Sequence, residues 1–131
     1  MNPKFLTLED VLSIHAKQLS LFGGTPGVRE QGLLESAISQ PRSTFGGEYL
    51  HPDLFSMASA YLFHLIQNHA FIDGNKRTGL LAALVFLKIN GVSINKELLE
   101  LYDLTMAVAQ GQLDKEEIAK ILKNLMTKAY L

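Results

Sequence analysis

Two strongly apolar stretches, 52–67 and 75–90, flank a short polar break at 68–74. In the first, Leu54, Phe55, Ala58, Tyr61, Leu62, Leu65 and Ile66 recur at helical spacing and cover nearly every side. A helix apolar all round must lie inside a fold. Pro52 suits the first position of that helix, whose N–H needs no partner. The second stretch holds the longest apolar run, 80–87, and closes at Gly91, a good position for a left-handed cap. The run is too short to cross a bilayer. The pair predicts two central helices on which everything else packs.

The remaining signals are also helical. Thr7, followed by Glu9 and Asp10, reads as a cap with acids in the first turn. Val11, Leu12, Ile14 and Leu19 then fall near one face, and Gly23-Gly24-Thr25-Pro26-Gly27 ends the helix. A short helix is predicted over 31–39, stopped by Pro41. Residues 42–50 are too glycine-rich for a helix and predict a loop or small hairpin. Two more helices are predicted, at 96–110, ended by Gly111, and at 114–127, which opens with a capping-box-like Asp114-Lys115-Glu116-Glu117. No internal repeat occurs. The expected fold is all-α: one compact domain over 1–131, about six helices and a small flap or hairpin.

Composition excludes several functions. Lysine plus arginine number 12 and aspartate plus glutamate 13, for a net charge of -1. Broad grip on a nucleic-acid backbone needs many uncompensated cations, so direct nucleic-acid binding is not expected. With no cysteine there are no disulfides, thiolate zinc sites or cysteine nucleophiles. No two histidines stand four apart and no HExxH occurs, so no zinc site is expected. His64 and His15 read as structural, and His51 falls beside the flap. Residues 1–6 lack a signal-peptide pattern. A cytoplasmic protein with no membrane contact is the expectation.

The break carries the chemistry. It reads His69-Ala70-Phe71-Ile72-Asp73-Gly74-Asn75-Lys76-Arg77-Thr78. Lys76 and Arg77 open a helix, where cations oppose the dipole. An arriving anion would relieve that conflict. Free N–H groups, a glycine allowing close approach and two cations together make a phosphate site, and arginine adds a bidentate fork. Asp73 is a hard oxygen ligand of the kind that shares Mg²⁺ with substrate phosphates. His69 could take a proton from an incoming hydroxyl. Phe71 between them would point into the core. Each group has a structural alternative: a satisfied histidine, a solvated pair of cations, a capping aspartate. Together, within nine residues, they suit in-line transfer driven by positioning and charge stabilisation.

The string from His69 to Arg77 resembles the loop of the Fic superfamily, H-x-F-x-[DE]-[GA]-N-[GK]-R, and the lysine after the asparagine is similar to its death-on-curing (Doc) branch. Weaker likeness extends to Gly23-Gly24-Thr25-Pro26-Gly27, to 32–37, to 84–87 and to Asn90-Gly91, so it spans most of the chain. The resemblance implies a Fic/Doc helical bundle using ATP and Mg²⁺. It implies His69 as general base, Phe71 as loop anchor and Asp73 as the Mg²⁺ ligand. Gly74 and Asn75 would form the anion nest, with Lys76 and Arg77 binding phosphates. The segment 43–49 looks like the family's flap, which docks the target by backbone pairing.

Doc relatives are toxins that move the γ-phosphate of ATP to a hydroxyl of a translation factor, elongation factor Tu. That implies a Ser/Thr phosphotransferase that inhibits protein synthesis. Departures from the pattern keep alternatives open. Leu80 stands where the longer Fic pattern has a second arginine, which, with Lys76, favours phosphoryl over adenylyl transfer. Gly74 is the adenylylating Fic choice, and Leu21 and Gln67 occupy the places of nucleotide-binding arginines. The alternatives are an adenylyltransferase, or a catalytically weak antitoxin-binding module. No self-inhibitory [ST]-x-x-x-E-[GN] string occurs, which implies a separate antitoxin whose disordered C-terminal segment folds as a helix in an apolar cleft.

Overall fold

The computed structural model describes residues 2–129, with side chains described through 126. Six α-helices follow one another: α1 (Leu8–Phe22), α2 (Gln31–Ser39), α3 (Leu54–Gln67), α4 (Asn75–Ile89), α5 (Leu99–Ala109) and α6 (Lys115–Ala129). A 3₁₀ turn (Gln40–Arg42) extends α2, with Pro41 in its first positions. The strands β1 (Thr44–Phe45) and β2 (Glu48–Tyr49) pair antiparallel, closed by Gly46-Gly47. The small hairpin predicted at 42–50 is thus present, and the all-helical expectation holds.

Helix α3 is central, packing against α2, α4, α5 and α6. Met57, Ala58, Tyr61, Leu62 and Leu65 are sealed, and the buried apolar residues form one cluster. Gly79 explains how closely α4 lies on α3. A Cβ there would meet Ile66 Cγ1 at 3.0 Å and the Leu62 carbonyl at 3.4 Å. The N-terminal segment is sewn to this pair. The Leu6 N–H donates to Tyr61 Oη at 2.9 Å, and Asn90 exchanges hydrogen bonds with the Lys4 backbone in both directions. Burial, the larger effect, pushes the Tyr61 hydroxyl up to about 12.

The caps follow the sequence signals, with two corrections. Thr7 and Asp10 form a full capping box on α1, and Asp114 and Glu117 exchange the same two bonds before α6. Pro52, however, does not open α3. Asp53 follows it as the cap, accepting from the Ser56 N–H at 2.8 Å, and the helix starts at Leu54. A good capping side chain outweighs proline's preference for the first helical position. Helix α5 starts at Leu99 rather than Lys96. The Asn95 side chain accepts from the Glu97 N–H at 3.0 Å and its carbonyl from Leu98, which holds that segment as a turn. Among the described residues no helix is long and apolar enough to cross a membrane.

Candidate active site

Helix α3 ends where its chain must reverse into α4. Asn68 closes it with an N–H on the His64 carbonyl. His69 follows at φ 49, alone among the described non-glycine residues in having a positive φ. That conformation is unfavourable for a side-chain-bearing residue and persists only where the surroundings impose it. Here they do. The Arg29 side chain donates from Nε to the His69 carbonyl at 2.8 Å and from Nη2 to the Asn68 carbonyl at 3.3 Å. A guanidinium also suits the negative end of a helix dipole. The His69 side chain remains exposed.

The next residues are strapped to the segment before α2. The Arg29 and Glu30 amides donate to the Ala70 carbonyl at 2.7 and 3.1 Å, and Ile72 N–H donates to Gly27 at 3.0 Å. Val28 and Phe71 thus form an antiparallel bridge. Phe71 is buried, with the His15 ring stacked on it at 3.7 Å and 8°. His15 also donates from Nε2 to the Asp73 carbonyl at 2.8 Å, which fixes the ring's tautomer. From the other side the Asn75 side chain clasps Phe71, accepting from its N–H at 3.0 Å and donating to its carbonyl at 2.9 Å.

Asp73 is exposed, yet its carboxylate is oriented. It accepts from the Thr25 N–H at 3.2 Å and from Gly74 N–H at 2.9 Å. Those two amides first, then the charges of Arg77 and His15, hold it below the usual aspartate range. It is therefore ionised at neutral pH. Asp73 does not cap α4. Gly74 occupies the cap position at φ 78, and no side-chain cap bond is present.

That leaves the N-terminus of α4 open. Thr78 N–H is the first to bond within the helix, to the Gly74 carbonyl, so no described residue accepts from the amides of Asn75, Lys76 and Arg77. No acid lies in the first turn. Lys76 is exposed. Arg77 has no carboxylate partner within salt-bridge range among the described residues; its guanidinium lies 4.6 Å above the Phe22 ring. Unbonded amides, a positive dipole end and two cations with no carboxylate partner among the described residues fit an anion with several oxygens. Among the described residues no group of three or more His, Asp or Glu could hold a metal by itself. A magnesium ion at Asp73 would have to complete its shell with ligand phosphates and water, which is how that ion is usually held. The donor set fits a Mg²⁺-nucleotide.

The structure brings His69, Asp73, Gly74, Lys76 and Arg77 to one turn, with Asn75 behind them. It also separates two functions of Asn75. Its side chain is committed to Phe71, and only its backbone amide faces an anion's requirements. The sequence reading missed Arg29, Thr25, Phe22 and the loop-holding role of His15. None carries a local signal, because each acts across 39 residues or more of chain. Leu21 is 62% exposed and adds no charge to the site. Gln67 donates to the Val108 carbonyl at 2.7 Å, so it ties α3 to α5 instead of reaching a ligand.

A profile of the Fic/DOC family matches residues 5–87, which include the whole turn and the strap that holds it. The chain belongs to the Fic/Doc family. Two characterised members are similar over nearly their full lengths. The protein kinase Doc of Escherichia phage P1 is 33% identical over 126 residues, covering 96% of this chain and 98% of the relative. The toxin Doc of Mycolicibacterium smegmatis is 38% identical over 128 residues, 96% of each chain. In this Fic/Doc chain the family loop therefore sits on a scaffold matched almost end to end.

The Arg29 contacts predict a measurable effect. Hydrogen bonds to a charged donor are worth about 1.5–3 kcal/mol. Arg29→Ala is expected to speed hydrogen exchange at the Phe71 and Ile72 amides by roughly tenfold or more while leaving the α6 amides unchanged. Equal exchange in both proteins would remove Arg29 from its holding role.

Proposed function

We propose that this Fic/Doc protein is the toxin of a toxin–antitoxin pair that transfers the γ-phosphate of Mg²⁺-ATP to a Ser/Thr hydroxyl of a translation factor, elongation factor Tu by family likeness. The observation that carries the reading is the open N-terminus of α4, with unbonded amides, Lys76 and Arg77 in its first turn, and an exposed histidine at the preceding turn. In this reading Gly74 opens the cap position, and the free amides of Asn75, Lys76 and Arg77 with the cations of Lys76 and Arg77 bind the phosphates and neutralise charge as it develops. Asp73 holds the metal, which supplies further charge neutralisation. His69 accepts the proton of the attacking hydroxyl. The hairpin at 44–49 offers short, exposed strand edges to which an extended target segment can pair. A separate antitoxin, whose disordered C-terminal segment becomes helical on binding, restrains the protein in the cytoplasm.

Two observations favour other outcomes. Gly74 suits adenylyl transfer by family pattern. Exposed Leu21 and committed Gln67 leave fewer cations for nucleotide, which suits a weakly active antitoxin-binding module. Incubation with the translation factor and ATP labelled separately at γ and α separates them. Label from γ alone is expected. Label from α would establish adenylylation, and no transfer where a Doc kinase works would leave the binding module.

Asp73→Asn tests the metal role within the same site. Thr25 and Gly74 donate to different oxygens of Asp73, so the amide keeps an acceptor for one of them and loses the charge. Weaker binding of nucleotide in Mg²⁺, with little change in its absence, is the expected result in calorimetry. Equal affinity in Mg²⁺ would take the metal away from Asp73.

A further inference from the structure

One face of α1 runs along the turn between α3 and α4. His15, Leu19 and Phe22 recur at i, i+4, i+7 spacing, so they share that face. Each meets the turn. His15 bonds the Asp73 carbonyl and stacks on Phe71. Leu19 fills the space beside Gly24 and Gly74, where a Cβ would lie 2.9 and 3.6 Å from its Cδ2. Phe22, the last residue of the helix, lies under Arg77, whose guanidinium carbon is 4.6 Å from the ring centroid. The Phe22 side chain belongs to a residue 60% exposed, so the core gains little from it. The chain is fixed just beyond. Gly23 N–H caps the helix on the Leu19 carbonyl at 2.8 Å, and Thr25 N–H bonds the Asp73 carboxylate at 3.2 Å.

We propose that Phe22 is a positioning residue for phosphate binding: its ring holds the Arg77 guanidinium at the open end of α4. The proposal rests on the reading of that end as a phosphate site. A cation over a ring face is attracted by the ring's quadrupole. The attraction acts on the charge and needs no hydrogen bond, so the guanidinium keeps donors for phosphate oxygens. A carboxylate would also hold the guanidinium, but it would cancel the charge that phosphate requires. None lies within salt-bridge range of Arg77 among the described residues. The ring restrains the cation and leaves its charge whole. An arginine without such a rest samples many rotamers, and an arriving anion would have to order it at a cost in affinity.

The test measures binding of Mg²⁺-ATP and of magnesium tripolyphosphate to the intact protein by calorimetry. Tripolyphosphate carries the phosphates and no base. A cation–π contact at an exposed site corresponds to about two- to fivefold in an equilibrium constant. Phe22→Leu keeps an apolar side chain and removes the ring. It should weaken both ligands by about that factor while leaving the melting temperature near that of the parent. Phe22→Trp should restore the affinity or exceed it, since indole offers the best such face. In an Arg77→Ala background, Phe22→Leu should change nothing further, because its effect runs through the guanidinium.

Weaker binding of ATP alone would mean that the ring stacks on the base. Tighter binding of both ligands would mean that it keeps Arg77 away from the phosphates. Either result overturns the proposal. An undiminished loss in the Arg77→Ala background would do the same, by making Phe22 a structural residue. Unchanged affinity in Phe22→Leu, beside weakened binding in Arg77→Ala, would end the proposal and keep the phosphate reading. Unchanged affinity in Arg77→Ala would end both.

Discussion

Replacing His69 with alanine is expected to lower phosphoryl transfer by ~10²–10⁴-fold, the usual cost of losing a positioned general base. The fold should survive the change. The imidazole is exposed and makes no described hydrogen bond, while the residue's backbone carries the contacts to Arg29 and Ile66. Alanine is held in the same left-handed conformation at a similar cost, so the strain is not relieved. Nucleotide affinity should stay near that of the parent protein, because the cradle begins four residues later. Transfer rate, melting temperature and nucleotide affinity measured on one preparation separate these effects. A variant with undiminished transfer would show that the proton leaves by another route.

A second large effect is expected away from any ligand. Phe71→Ala should destabilise the protein by about 3–5 kcal/mol, the range for emptying a buried aromatic site. The ring is 1% exposed and supports the stacked imidazole of His15. Without it His15 has nothing to lie against, and its bond to the Asp73 carbonyl loosens. The loss should therefore appear twice: as a lower midpoint in denaturant, and as weaker Mg²⁺-nucleotide binding at a temperature where the variant is still folded. A midpoint within experimental error of the parent would mean that Phe71 is not the anchor of the turn. Loss of stability with intact nucleotide binding would make it a core residue only.

Much of this was legible along the chain. The apolar spacing on either side of 68–74 defines α3 and α4, and glycines or capping side chains mark most ends, as at Thr7, Gly91 and Asp114. The conflict between Lys76, Arg77 and the dipole they face points to an anion on its own. Two helix starts were misplaced because a local competitor won: Asp53 over Pro52, and the Asn95 turn over the helical pattern that follows. The larger gap concerns support. Arg29 grips carbonyls 39 and 40 residues away, and His15 reaches a carbonyl 58 residues on. Such partners are chosen by the path of the chain through space, and nothing in their neighbours announces it. The pairing of Phe22 with Arg77 is hidden for the same reason.

The bridge between Val28 and Phe71 has a consequence for how the protein could be divided. A fragment beginning at α3 would contain every residue of the signature from His69 to Arg77. It would lack His15, Thr25, Gly27, Arg29 and Glu30, which hold that signature in shape. Such a piece should be inert by itself, and adding the first fifty residues as a separate peptide should restore it. The two halves would then behave as a switchable pair, cut at a point that leaves the motif whole and its working geometry divided.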